Sequence, residues 1–250
     1  MCVAPARTRS QDVTGVVASG HPLVTQVAAD MLRAGGNAFD AAVAAGFVAA
    51  VAEPTLTSLG GGGFLLARTA SGQKTLFDFF VDTPGRGLDP DELEPHFLPV
   101  NVRFLGAEQV FHVGRASVAV PGCLRGYLHV HRRLGRLPLA EVLAPAITWA
   151  RQGVTLNPFI AYTLDLLRPI LALTEQARSL FKPGGFDLRR GDVFVNHELA
   201  AFMETLPQEG DRALYEGETA ERIAEDMRQA GGMVTAEDLA RYRVIERRPL

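Results

Sequence analysis

The chain is short of cysteine, of net charge and of long apolar runs, and each shortage argues against a class of function. Cys2 and Cys123 are the only cysteines among 250 residues, which argues against the disulfide framework of a small secreted domain. Neither lies in a CxxC pair or beside histidines, so Cys123 reads as a small buried side chain rather than a ligand or nucleophile. Lys and Arg number 25 against 28 Asp and Glu, a formal net charge of -3 without long charge runs. Nucleic acid is therefore not expected as a partner. The pairs Arg132-Arg133, Arg189-Arg190 and Arg247-Arg248 read as solvated faces rather than a phosphate-binding surface. The most apolar stretch, residues 41–52, is Ala-rich and too short for a bilayer core of roughly 30 Å, so it reads as a buried helix and no membrane is expected as a partner. Residues 1–14 carry Arg7, Arg9 and Asp12 with no apolar h-region, so no secretory leader is read there and a cytoplasmic location is expected.

Catalytic signatures are also absent. There is no G-x-S-x-G elbow and no H-E-x-x-H pair. The run Gly60-Gly61-Gly62-Gly63 lacks the Gly-Lys-Ser/Thr of a phosphate loop and the spacing of a dinucleotide fingerprint. It reads as a tight backbone entry into a buried strand. His129 and His131 fall two apart on a predicted helix and point in different directions, so no metal site is read there.

What is present is a globular composition, 47% hydrophobic and 21% charged. No linker divides it, so a flexible N-terminus over residues 1–14 and one region over 15–250 are expected. Residues 14–19 read as a short buried strand. Apolar residues at spacings of three and four after Pro22 predict a helix that stops at Gly35-Gly36, and Asn37 caps an Ala-rich helix that follows. Residues 65–68 and 74–80 read as a hairpin turning at Ser71-Gly72. Residues 88–113 read as irregular because of Pro90, Pro95 and Pro99, and 117–120 as a short strand. Helices are predicted from about Leu124, at 139–152, 158–173, 196–209 and 218–229, with a capping-box start at Thr235 and Asp238. On residue types alone two classes remain: part of an enzyme whose reactive residues lie elsewhere, or a binding or structural module.

Three segments decide between them. The stretch GVVASGHPLVTQVAADMLRAGGNAFDAAVAAGFVAAVAEP followed by LGGGGFLL, the stretch SVAVPGCLRGYLHVHRRLGRLPLAEVLAPAITWARQG, and GGMVTAEDLARYRVIERRPL resemble the N-terminal portion of the large subunit of the gamma-glutamyltransferase family (gamma-glutamyltranspeptidase, glutathione hydrolase). The resemblance runs from about Gly15 to Leu250 and is weaker over 88–113. It implies an α+β fold, part of an αββα sandwich of the N-terminal-nucleophile hydrolases, with helices packed on antiparallel sheet and incomplete without a small subunit. It also implies a precursor that cleaves itself ahead of a Thr whose freed amine serves as base for its own hydroxyl. That Thr is expected beyond this chain, on a small-subunit partner, so no catalytic residue is assigned here. Thr55, Thr57 and Thr235 are poor substitutes, because none becomes an N-terminus. No metal or organic cofactor is implied.

One substrate-binding position transfers by the resemblance. Family members carry a strand motif Asp-Phe-Arg-Glu-x-x-Pro whose Arg pairs with the α-carboxylate of the γ-glutamyl substrate; the matching residues are Asp78-Phe79-Phe80-Val81-Asp82-Thr83-Pro84. Phe80 stands where that Arg would be, and a phenyl ring cannot make the bidentate contact. Arg86, Arg103 and Arg115 are the nearby candidates to replace it. The expected activity is amide hydrolysis or acyl transfer on γ-glutamyl compounds such as glutathione. The alternatives are an acylase-like relative taking an aliphatic or aromatic acyl group, or a silent scaffold chain. A chain lacking its sandwich partner is expected to leave apolar strand edges uncovered and to associate or dissolve poorly.

Overall fold

The computed structural model describes residues 15–249, so the expectation for residues 1–14, and Cys2 with it, lies outside the described residues. Chain order begins with two helices whose ends are set by short polar residues. The ring of His21 accepts the N–H of Leu23 and opens α1 (Pro22–Arg33). Asn37 opens α2 (Ala38–Ala52) by accepting the N–H of Phe39 and of Asp40, and the Asp40 carboxylate returns a bond to the Asn37 N–H. α2 buries Val43, Ala44, Phe47, Val48 and Val51 completely, as an all-apolar helix must.

The glycine-rich segment leads into β1 (Gly63–Arg68), which pairs antiparallel with β2 (Lys74–Phe79). Gly62 is required by close approach, since a Cβ there would sit 2.4 Å from the Val81 nitrogen. The hairpin turns at Gly72, with φ +88°, as its Ser-Gly signal predicts. Downstream, β3 (Leu98–Phe104) and β4 (Ala107–Val113) form a second hairpin. They correct the irregular reading of 88–113. Pro99 is tolerated because each strand of a two-stranded ribbon is an edge with one side free of partners.

α3 (Cys123–Leu134) follows; its first N–H groups, on Gly122 and Cys123, both donate to the Gly61 carbonyl at 2.8 Å, so the glycine-rich loop caps the helix. Then come α4 (Leu139–Gln152), β5 (Val154–Thr155), α5 (Pro158–Leu171), α6 (Glu175–Phe181) and β6 (Val193–Phe194), which pairs with β5. α7 (His197–Glu209), α8 (Arg212–Tyr215), α9 (Gly217–Gln229), α10 (Ala236–Arg241) and β7 (Ile245–Arg247) complete the order. Residues 117–120, read as a strand, form instead the end of a 3-10 turn and a single bridge from Val120 to Asp82.

β7 pairs antiparallel with β2, making a three-stranded sheet in the order β1-β2-β7. Its inner face carries Phe77 and Phe79, which meet His129 and Tyr127 of α3 edge to face at 5.7 Å. Its outer face carries Phe64 and Leu66, at 57% and 68% exposure, with Phe80 and Ile245 beside them. The strand after the glycines is therefore covered on one face only, not buried as the sequence suggested. Residues 15–19 correct the sequence reading too. They form no strand, and Val16 is 96% exposed, because no neighbour among the described residues pairs with them. A second, smaller core gathers Leu156, Ile160, Leu164 and Phe194 beneath α5.

Candidate functional site

Phe80 lies one residue past β2, where ladder hydrogen bonds have ended and the chain turns away from the sheet. Its ring is exposed on the outer face and stacks on Phe64 of the adjacent strand, with centroids 5.5 Å apart and planes 11° from parallel. Two groups hold its backbone on either side: the Asp78 carboxylate accepts the Phe80 N–H at 3.1 Å, and the Tyr242 hydroxyl donates to the Phe80 carbonyl at 2.7 Å. Asp78 is paired with Arg247 at 2.8 Å. Partial burial works against the charge of Asp78, but the bonds from Arg247 and from the Phe80 N–H hold its carboxyl below the ordinary range.

The turn after Phe80 is fastened to α10. Asp238, with its side chain fully buried, accepts the N–H of Gly85 at 2.8 Å and of Arg86 at 3.1 Å, and the Thr235 hydroxyl donates to the Arg86 carbonyl. The Thr235 and Asp238 capping box is present as its spacing predicts. Its additional role, reaching across the chain to the Phe80 turn, has no local sequence signal beyond the Asp that replaces the usual Glu or Gln.

The three arginines considered as replacements are each engaged by carboxylates. Arg86 pairs with Asp82 at 3.1 Å and lies 3.5 Å from Asp238, Arg103 pairs with Glu108, and Arg115 takes a two-point contact from Asp226. The histidines diverge: His129 meets Glu246 at 2.8 Å, while His131 meets the Leu137 carbonyl. The internal threonines have ordinary partners, Thr55 with Thr163 at 2.6 Å and Thr235 with its own helix.

Beside the Phe64 and Phe80 stack, a cleft of about 570 Å³ opens between α2, the glycine-rich segment and α3, reaching Thr57, Cys123 and Tyr127. Burial raises the Cys123 thiol, a rise that a bond with Tyr127 only partly offsets, so Cys123 is a protonated core side chain as its sequence context indicated.

The gamma-glutamyltranspeptidase family model matches residues 24–250. The chain belongs to the gamma-glutamyltranspeptidase family. It is 35% identical to the glutathione hydrolase proenzyme of Escherichia coli over 94% of its own length and 40% of that protein, and 34% identical to the acylase ACY 1 proenzyme of a Pseudomonas species over 94% and 42%. The gamma-glutamyltranspeptidase structure of Helicobacter pylori superposes with a TM-score of 0.82 at 32% identity, covering 94% of this chain and 66% of that one. The cephalosporin acylase of Bacillus halodurans superposes with a TM-score of 0.76 at 28% identity, over 92% and 42%. This gamma-glutamyltranspeptidase-family chain thus spans about two-fifths of the length of these curated relatives. Its fold is that of the N-terminal-nucleophile hydrolases, and its relatives include both glutathione hydrolases and acylases.

Proposed function

We propose that the chain is the N-terminal portion of a self-processing amide hydrolase or acyltransferase, completed by a small subunit from the same precursor that carries the nucleophilic Thr. This chain would supply one wall of the acyl site, and the amine of the new N-terminal Thr would supply the base, so the chemistry calls for no cofactor. The relatives described as proenzymes, each much longer than this chain, support the partner.

Within that activity, the geometry favours an aliphatic or aromatic acyl group over the γ-glutamyl group expected by default. The observation that carries this is the stack of Phe80 on Phe64 at the position assigned to a carboxylate-binding arginine, with Arg86, Arg103 and Arg115 all occupied by carboxylates. An α-carboxylate brought there would meet no unengaged arginine among these three, and Arg247, which shares this face of the sheet, is engaged by Asp78.

The test is expression of the uninterrupted reading frame, a mass measurement of the products, and hydrolysis of a γ-glutamyl anilide against a phenylacetyl anilide. Two fragments that prefer the phenylacetyl compound are expected. Phe80→Arg should then raise kcat/KM for the γ-glutamyl anilide about tenfold or more, since charge-assisted bonds contribute about 1.5–3 kcal/mol each. Efficient γ-glutamyl hydrolysis by the unaltered enzyme would overturn the acyl assignment. A single uncleaved species would overturn the enzyme reading and leave a silent scaffold.

A further inference from the structure

Residue 80 can select an acyl group only if its backbone is held still, and the means of holding it lies far away in sequence. Tyr242 follows α10 and is almost wholly buried. Its ring stacks on Tyr215 at 5.9 Å, and the Arg125 guanidinium lies 3.9 Å over the centre of the Tyr215 ring. Arg125 also donates to the Tyr242 carbonyl at 2.5 Å and to Asp211 at 2.8 Å, so both the ring and the backbone of Tyr242 are fixed. The one polar group of its side chain reaches the Phe80 carbonyl at 2.7 Å.

Two further features mark this contact as a built one. Gly122, at the start of α3, leaves room for it: a Cβ there would fall 2.4 Å from the Tyr242 hydroxyl and 2.1 Å from the Phe79 carbonyl oxygen. On the other side of the same residue, in the preceding peptide unit, Asp78 accepts the Phe80 N–H and is itself held by Arg247. Residue 80 is thus gripped by side chains in both of its flanking peptide units, at its N–H and at its C=O, where a strand interior would use a neighbouring strand.

We propose that Tyr242 is a positioning residue for acyl selectivity: by fixing the Phe80 carbonyl, its hydroxyl determines where the residue-80 side chain stands against the acyl group. The inference rests on the reading that residue 80 lines the acyl site. It predicts that selectivity responds to a buried hydroxyl that touches no substrate, because small displacements of a contact group alter binding of one acyl group relative to another.

Tyr242→Phe in the full-length precursor keeps the stack on Tyr215 and removes only the donor. Self-cleavage is expected to persist, while the ratio of kcat/KM for phenylacetyl and γ-glutamyl anilides shifts about threefold or more, chiefly through KM. The shift should vanish in the Phe80→Ala background, since the effect passes through that side chain. Asp78→Asn, which loosens the other side of residue 80, is the second variant and should move the ratio in the same sense, so the test survives if Tyr242→Phe fails to fold. An unmoved ratio in folded variants, or a shift of equal size in the Phe80→Ala background, overturns the role of Tyr242. Failure of the underlying reading is seen separately, as a Phe80→Arg enzyme with unaltered acyl preference.

Discussion

Asp40 is a charged residue inside the most apolar helix, and it is completely buried. Its carboxylate accepts the N–H of Asn37 at 2.8 Å, of Arg136 at 2.9 Å and of Leu137 at 3.3 Å, so it closes the start of α2 and also holds the loop between α3 and α4. Replacing it by Ala leaves buried donors without acceptors. Asp40→Ala is expected to lower unfolding stability by about 2–4 kcal/mol. Urea denaturation with an unchanged slope checks this, and a loss under about 1 kcal/mol would mean that water satisfies the loop instead. The capping half of this role is legible in sequence, because Asn37 precedes an apolar run in which Asp40 is the only charge. The other half is not, since nothing local ties position 40 to position 136. The same limit applies to Phe80: its place at the motif position where the resemblance puts an arginine is read from sequence, while its hydrogen bond from Tyr242 is not.

Among the elements, legibility follows how each is stabilised. α1, α2 and α4 bury a periodic apolar face or an all-apolar surface, and their bounds are close to those read from sequence. β7 has no such period: all three of its residues are exposed, two are charged, and its side-chain partners are polar or charged groups on other elements. Glu246 meets His129 at 2.8 Å and Arg133 at 3.6 Å, and Arg247 meets Asp78. The pairing with Asp78 has a pH consequence with a definite sign. The folded carboxyl sits below its ordinary value, so its contribution is fully present above about pH 4 and is lost as pH falls through the folded value. Hydrogen-exchange protection at residues 245–247 is expected to drop in that acid window while α2 stays protected. In Arg247→Met the acid dependence should flatten; equal acid sensitivity with and without the arginine would assign the effect to other groups.

On the scale of the whole molecule, helices cover one face of the three-stranded sheet while Phe64, Leu66, Phe80 and Ile245 crowd the other. Apolar side chains exposed on the face of an open sheet promote association, here around the Asp78–Arg247 ion pair that shares the face. The isolated chain is expected to self-associate, with a weight-average mass that rises with concentration in sedimentation equilibrium. Leu66→Lys should reduce that rise. A concentration-independent monomer for the unaltered chain would mean that this face is stable in water unaided. The helix-on-sheet class was legible through the family resemblance, while periodicity showed the long helices and one clear hairpin. The one-sided sheet was not, because strands covered on one face and strands covered on two can share the same apolar residues until their partners are known.

The position of β7 also sets a timetable for synthesis. Arg247 meets Asp78 across 169 residues of sequence, so the ribosome makes the β1-β2 hairpin and α1 to α10 before the third strand exists. Until then β2 is an open edge, and Tyr242, Asp238 and Arg247, the groups that fasten the strand end at Phe80, have not emerged. Native pairing there carries a high loop-closure cost and forms late. The nascent chain is therefore most exposed to misassembly and to chaperone capture in the same region that we propose lines the acyl site.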